Sequence, residues 1–290
     1  MRQGEPVERK IMKIKIKIKS VKKIAIFLIA LFLVFIFLVP VYWMIISSLK
    51  DRQSIFQYPP VLFPKQLHFE NYMEMMAFIP FFKYAGNTLF ISLLSTIGLV
   101  MSCSTVAYAL SKLKWKGRQV YFIVMLSTML LPYQAQMIPL YMLFKKLGWI
   151  GTFLPLIVPN FFGAASYIFL LRQFMIGIPK ELTESAFMDG AGHFRIFTGI
   201  ILPLIKPALF SVALFAFFAN WSDLTGPLIF LNKEELYTLT IGLTHFRSGH
   251  GTEWGYLMCA CVLFSLPIAI IYFFTQKQFI EGVTFSGIKG

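Results

Sequence analysis

Charge is what this chain has least of. Asp, Glu, Lys and Arg make up 14% of its 290 residues, against about a quarter in an ordinary soluble domain. Hydrophobic residues fill 57% of the positions, 32 of them Phe, which excludes a water-soluble globule and implies a membrane protein. Cysteine is nearly absent. Cys103, Cys259 and Cys261 all fall in apolar stretches without pairing or metal-ligand spacing, so they read as small core hydrophobes. No Gly-x-x-x-x-Gly-Lys-Ser/Thr loop occurs to cradle nucleotide phosphates. No Ser-His-Asp or paired-carboxylate set falls within the apolar stretches, and no Asp, Glu or His chain crosses them to relay protons. These absences imply a non-catalytic chain that moves something across a membrane without its own energy source.

Five windows carry no charged residue: 24–49, 84–111, 119–144, 147–171 and 254–276, each at least 23 residues long. Spanning a bilayer takes about 20 residues. A sixth window, 207–222, has 16 and suffices if Lys206 snorkels to the interface. The fold class read from this pattern is an all-α integral membrane protein with six transmembrane helices. The net charge of +14 is distributed as a topology signal and not as a nucleic-acid surface. Nineteen Lys and Arg precede span one, follow span six or fill the loops after spans two and four, against eight on the other side. Excess Lys and Arg stay in the cytoplasm, which places both termini there.

Residues 1–23 form a basic N-terminal arm, and 24–290 the membrane domain. The alternating IMKIKIKIKS at 11–20 has no partner strand and reads as an arm on anionic lipid headgroups. The first apolar segment exceeds a signal-peptide core and lacks a small-residue cleavage site, so it reads as a span. External loops fall at about 50–83 and 223–253, the first with Pro59, Pro60 and Pro64 and a short surface helix near 69–76. Its counterpart carries the Gly-rich, flexible HFRSGHG at 245–251. His245 and His250 lack a third neighbour at metal spacing, so no metal site is assigned. Spans three and four hold Pro132, Tyr133, Gln134, Gln136, Pro155, Pro159 and Asn160. Prolines and amides at membrane depth point either to a water-filled path or to interhelical hydrogen bonds.

The most informative segment is 184–203, ESAFMDGAGHFRIFTGIILP, in a cytoplasmic loop of about 175–203 between spans four and five. A short helix starts at Pro179 in the first helical position and stops at the turn signal Asp189-Gly190. A second runs from about His193 to Leu202-Pro203. The two make a compact knob. Glu184-x-Ala186, then Asp189-Gly190, then Ile200-x-Leu202-Pro203 resembles the EAA loop of ABC importer permeases, with Ser185 where that family usually has Ala. Trp221-Ser222-Asp223, Pro227-Leu228, 239–243 (LTIGL) and the tail 282–290 resemble carbohydrate-type members, closest to the smaller permease of the maltose-type pair, and the likeness extends over about 24–290.

The resemblance implies a type I ABC importer architecture in a bacterial cell membrane. It implies a second homologous permease subunit, two ABC ATPase subunits that bind ATP and Mg, an extracytoplasmic solute-binding protein, and a sugar substrate, with no nucleic acid and no cofactor in this chain. The ATPase-coupling residues would be Glu184, Ala186, Asp189, Gly190, Ile200, Leu202 and Pro203. Aromatic faces and amides suit sugar rings and hydroxyls, which nominates Tyr133, Gln134, Asn160, Asn220 and Trp221 for the substrate pathway. The loop near 244–253, with Phe246, Arg247, Gly249 and Gly251, would meet the binding protein, and the tail 277–290 would reach toward the ATPases. Alternatives are a same-class permease for glycerol-phosphate or a polyol, a secondary transporter, for which an internal repeat is missing, and a scaffold that binds an ATPase without passing solute.

Overall fold

The computed structural model describes residues 5–248 and 251–285, with side chains from 22 to 247 and 252 to 276. The chain divides into two compact units, residues 1–74 with 253–262 and residues 75–252 with 263–290. Among the described residues, four helices are long and apolar enough to cross a membrane unbroken, and two bent pairs bring the number to as many as six.

In the first unit, α1 (Glu5–Ser48) runs 44 residues without interruption, Pro40 included. It passes through 11–20, so the basic arm is the first part of the span-one helix and not a separate segment. Its membrane stretch, Lys22–Ser48, buries none of its apolar core within the chain, as expected of a helix facing lipid. Past its end the loop is held by side chain to backbone bonds. Asn71 Nδ2 donates to the carbonyls of Ser48 and Lys50, each at 2.9 Å. Asp51 accepts from the amides of Gln53 and Ser54 at 3.2 Å. The Lys50 ammonium lies 4.1 Å from the Trp43 ring centre, a cation–π contact in a buried site. The surface helix expected near 69–76 is α2 (Glu70–Phe78).

The second unit is built around α3 (Phe81–Ser111). Its buried face carries Thr88, Ser92, Ser95, Gly98, Cys103 and Ala107, a helical-period stripe of small residues that lets other backbones approach. Against it pack α7 (Ala165–Ile176) and α11 (Lys206–Trp221). Span three is not one straight helix. Residues α4 (Arg118–Ser127), a 3₁₀ turn (Thr128–Leu130) and α5 (Tyr133–Lys146) meet at 100°. Pro132 forces extended backbone at Leu131, whose ψ is 112°, and Gln136 Nε2 covers the Leu131 carbonyl at 3.0 Å.

Span four begins later than its charge-free window. Gly148 and Gly151 adopt φ of 69° and 75° in a turn, and the helical stretch starts at α6 (Leu154–Ile157), continues as a 3₁₀ segment (Val158–Phe162), breaks at Gly163 and resumes as α7. Pro155 and Pro159 bring no backbone donors there, and α3 covers two carbonyls of the irregular run. Ser95 Oγ donates to the Leu156 carbonyl at 3.0 Å and Ser102 Oγ to the Asn160 carbonyl at 3.1 Å. Irregular backbone at membrane depth is tolerated where the protein itself satisfies it.

The described residues of 223–252, which leave out 249 and 250, are structured instead of forming an open loop. They fold as α12 (Thr225–Phe230), a 3₁₀ turn (Glu234–Leu236), α13 (Leu239–Thr244) and a hairpin of β1 (Arg247–Ser248) with β2 (Gly251–Thr252). Asn87 Nδ2 donates to the carbonyls of Glu235 and Tyr237 at 2.9 and 3.0 Å, and Thr88 Oγ1 accepts from Leu239 N at 2.8 Å. The final span is α14 (Trp254–Phe285), with Pro267 inside it.

At Gly98 a Cβ would collide with the Phe161 ring. Gly98→Val is therefore expected to lose about 1–3 kcal/mol of stability. In the Gly98→Val, Phe161→Ala double variant the losses should combine to less than their sum. Thermal unfolding of the detergent-solubilised chain measures both, and strict additivity would refute the contact.

Candidate functional site

Two features stand out. The first is the elbow after span four. Helix α8 (Lys180–Met188) begins one residue beyond Pro179, which occupies the cap with ψ of 140° instead of the first helical position. Its C-terminus closes in a Schellman arrangement: Ala191 N donates to the Ala186 carbonyl at 2.9 Å and Gly190 N to the Phe187 carbonyl at 3.0 Å. Gly190 takes φ of 78°, the left-handed conformation that glycine adopts without Cβ strain. Then come α9 (His193–Ile196), a π-helical turn (Phe197–Ile201) and α10 (Leu202–Leu204). That run meets α11 at 80°.

Side-chain direction sorts the residues of this loop. Ala186, Ile196 and Ile201 are buried in one cluster with Ala107 and Tyr108 of α3, and Ile200 and Leu202 pack against it. Ala186, Ile200 and Leu202 thus anchor the elbow to its own chain. Glu184, Asp189, Gly190 and Pro203 are exposed. So are two residues that pattern reading passed over, Met188 at 89% and Phe194 at 79%. Large apolar side chains flanking the Asp189-Gly190 turn were the available signal. Tyr108 Oη donates to the His193 carbonyl at 3.4 Å and its ring lies 5.0 Å from that of Phe197. Lys112 Nζ donates to the Ile178 carbonyl at 2.8 Å. Burial lowers the Lys112 pKa, and nearby Lys180 adds to the shift.

The second feature is a cavity of about 450 Å³ in the 75–252 unit, within the size range of small-molecule sites. Its polar edge is Tyr133, Asn160, Tyr167, Asn220 and Asp223, set in a mainly apolar wall that includes Leu99, Phe144 and Leu156. Asn160 and Asn220 each donate one amide hydrogen to the carbonyl four residues back, at 2.9 and 2.7 Å. Among the described residues nothing donates to either amide oxygen. Asp223 Oδ1 accepts from Gly226 N at 3.2 Å, starting α12. Burial raises the Asp223 carboxyl above its usual range, against the lowering effect of the Gly226 and Thr225 amides.

Three of five sequence-nominated pathway residues, Tyr133, Asn160 and Asn220, therefore share one cavity. Two do not line it. Gln134 is exposed in the first helical turn of α5. Trp221 is 2% exposed, stacked 5.6 Å from Phe217, with Nε1 donating to the Phe264 carbonyl at 3.2 Å. Its place at the end of α11 turns it into the core, one helical step away from Asn220. Tyr167 and Asp223 were missed as wall residues, Asp223 because it follows the apolar run and reads as loop.

At the hairpin, Phe246 is fully buried and stacked 5.4 Å from Phe78, so it secures the hairpin and presents no surface, contrary to its nomination for contact. Arg247 is exposed, and Gly251 lies in β2 opposite Ser248. Gly249 and the tail side chains fall outside the described residues. Among the described residues no three His, Cys, Asp or Glu converge as metal ligands.

A membrane chain with broken spans, a polar-edged cavity and an exposed capped elbow is a transport permease in form. Residues 95–284 match the model of the binding-protein-dependent transport system inner membrane component family, and the chain belongs to that family. It is similar to the arabinooligosaccharides transport system permease protein of Bacillus subtilis, 33% identical over 93% of this chain and 97% of the relative. A diacetylchitobiose uptake system permease protein of Streptomyces coelicolor is 30% identical over 87% and 91% of the two chains. A trehalose/maltose transport system permease protein of Thermococcus litoralis is 31% identical over 93% and 98%. In fold the chain is similar to a bacterial ABC transporter structure involved in import of the acidic polysaccharide alginate, with a TM-score of 0.74, 22% identity, and coverage of 96% of this chain and 99% of the other.

The left-handed Gly190 sits in open space. Gly190→Ala should cost about 1 kcal/mol from backbone strain alone, and Gly190→Asn less. The elbow's protection in hydrogen exchange should fall in that order.

Proposed function

We propose that this chain is the permease subunit of an ATP-driven importer of sugars, oligosaccharides above all, and forms half of a translocation pathway with a second, homologous permease. The substrates in its relatives' names, arabinooligosaccharides, diacetylchitobiose and trehalose/maltose, support the sugar class. The tyrosines and amides on the cavity edge suit it chemically: aromatic faces stack on sugar rings and amide oxygens accept from hydroxyls. Tyr133, Asn160, Asn220 and Tyr167 are the residues assigned to this contact.

The observation that carries the reading is the elbow at 180–204: a capped helix fixed from below by Ala186, Ile196 and Ile201, with Met188 and Phe194 projecting outward. Two ATPase subunits, which hold the ATP and Mg, are the proposed drivers, one on this elbow and one on the other permease. Closure of the ATPase pair pushes the elbow, and α11 follows because the chain between them is short. Exposed ion pairs such as one to Glu184 contribute about 1 kcal/mol or less. Burying Met188 and Phe194 contributes about 1.5–3 kcal/mol each, so apolar shape dominates docking. An extracytoplasmic binding protein is the proposed sugar donor. In a related complex a bacterial alginate ABC transporter is seen with a pentasaccharide-bound periplasmic protein. Arg247 is assigned to that contact, and the Lys and Arg bias assigns both termini to the cytoplasm.

Met188→Asp with Phe194→Asp should abolish co-purification of the ATPase in mild detergent while leaving the partner permease bound. Mass spectrometry of the affinity-purified complex decides it. A wild-type chain that purifies alone or as a homo-oligomer would sink the importer reading.

A further inference from the structure

The cavity that the proposed function assigns to sugar has one formal charge on its edge. Asp223 stands there, and no Lys, Arg or His contributes to the wall. Its side chain accepts from backbone amides at the start of α12. Those amides orient the carboxylate without neutralising it, and among the described residues it has no ion-pair partner. Tyr133, on broken span three, lines the same cavity as this carboxylate. Thr240 Oγ1 holds the Asp223 backbone carbonyl at 2.7 Å, which prevents the residue from swinging out of the wall.

A fixed carboxylate in a largely apolar cavity repels a second carboxylate or a phosphate there, because effective screening is much weaker than in water. An uncharged sugar meets it as a hydrogen-bond acceptor, and a hydroxyl donating to a carboxylate makes a strong bond. We propose that Asp223 is a specificity-determining residue that admits uncharged saccharides and rejects uronate-bearing or phosphorylated solutes. This rests on the sugar-importer reading and narrows it. It separates this chain's cargo from an acidic polysaccharide such as the one named for its structural neighbour, and it excludes a glycerol-phosphate.

The test uses the intact complex of both permeases and ATPases in detergent, without binding protein, so that selection by the donor does not enter. Binding of a glucose trisaccharide and of the matching trisaccharide ending in glucuronate is measured by calorimetry. Wild type should favour the neutral probe at least about tenfold. Asp223→Asn should raise the uronate-to-neutral affinity ratio by about tenfold. Asn also serves as a helix cap, so the fold of α12 is preserved, and Asp223→Ser provides a second uncharged cap. A ratio unchanged in both variants, or a wild type that binds both probes equally, overturns the assignment of Asp223 while leaving the importer standing. A complex that holds its ATPases yet binds neither probe overturns the sugar reading and the inference with it.

Discussion

Every backbone N–H and C=O that leaves a regular helix at membrane depth must find a partner inside the protein, since lipid offers none. Much of the 75–252 unit is arranged around that constraint. Spans three and four are broken by Pro132, Pro155, Pro159 and Gly163, and side chains satisfy backbone groups around these breaks. Gln136 covers Leu131, Ser95 covers Leu156, and Ser102 covers Asn160. Cys103 belongs to the same set, since the Ala164 amide donates to its sulfur at 3.3 Å. A cysteine that looks like inert filler is a backbone partner at the point where the span resumes.

The breaks are what make a cavity possible. A straight, fully apolar helix buries its backbone and shows only hydrocarbon to its neighbours. Broken helices turn Tyr133 and Asn160 inward from two directions, and the end of α11 adds Asn220 and Asp223. The same α11 is joined to the elbow through a π-helical turn and an 80° bend at Ile205. Helical irregularities of this kind often mark functional positions. Here the irregular segment joins the exposed elbow to the helix that carries Asn220, just before Asp223, on the cavity's polar edge.

Much of this was readable beforehand. Six apolar windows, the surface helix after span one, the helix–turn–helix at 180–204 and its end at Gly190 follow from local chemistry. Charge exclusion, proline positions and the Asp-Gly turn act within a few residues. Motif spacing found the elbow, but could not sort its residues. Ala186, Ile200 and Leu202 share the pattern with Glu184 and Asp189, yet point the opposite way because α3 lies beneath them. Nothing local marks Asn87 and Thr88 for their role, pinning the segment at 235–239 to α3, which is a contact across some 150 residues.

What the sequence by itself determined is the class of solvent for each stretch: which windows suit lipid, where helices must stop, and which loop is charged and small enough to form a knob. Those properties are set by transfer free energy and by backbone sterics, both local. Only the tertiary structure decided that Tyr133, Asn160, Asn220 and Asp223 face one space while Trp221 and Phe246 fill the core. The direction of a side chain depends on which helix packs against its own, and in an all-apolar span the polar pattern that would reveal that face is missing. A loop aspartate next to a membrane helix becomes a cavity wall because α12 folds back from it, a fact no residue near 223 encodes alone.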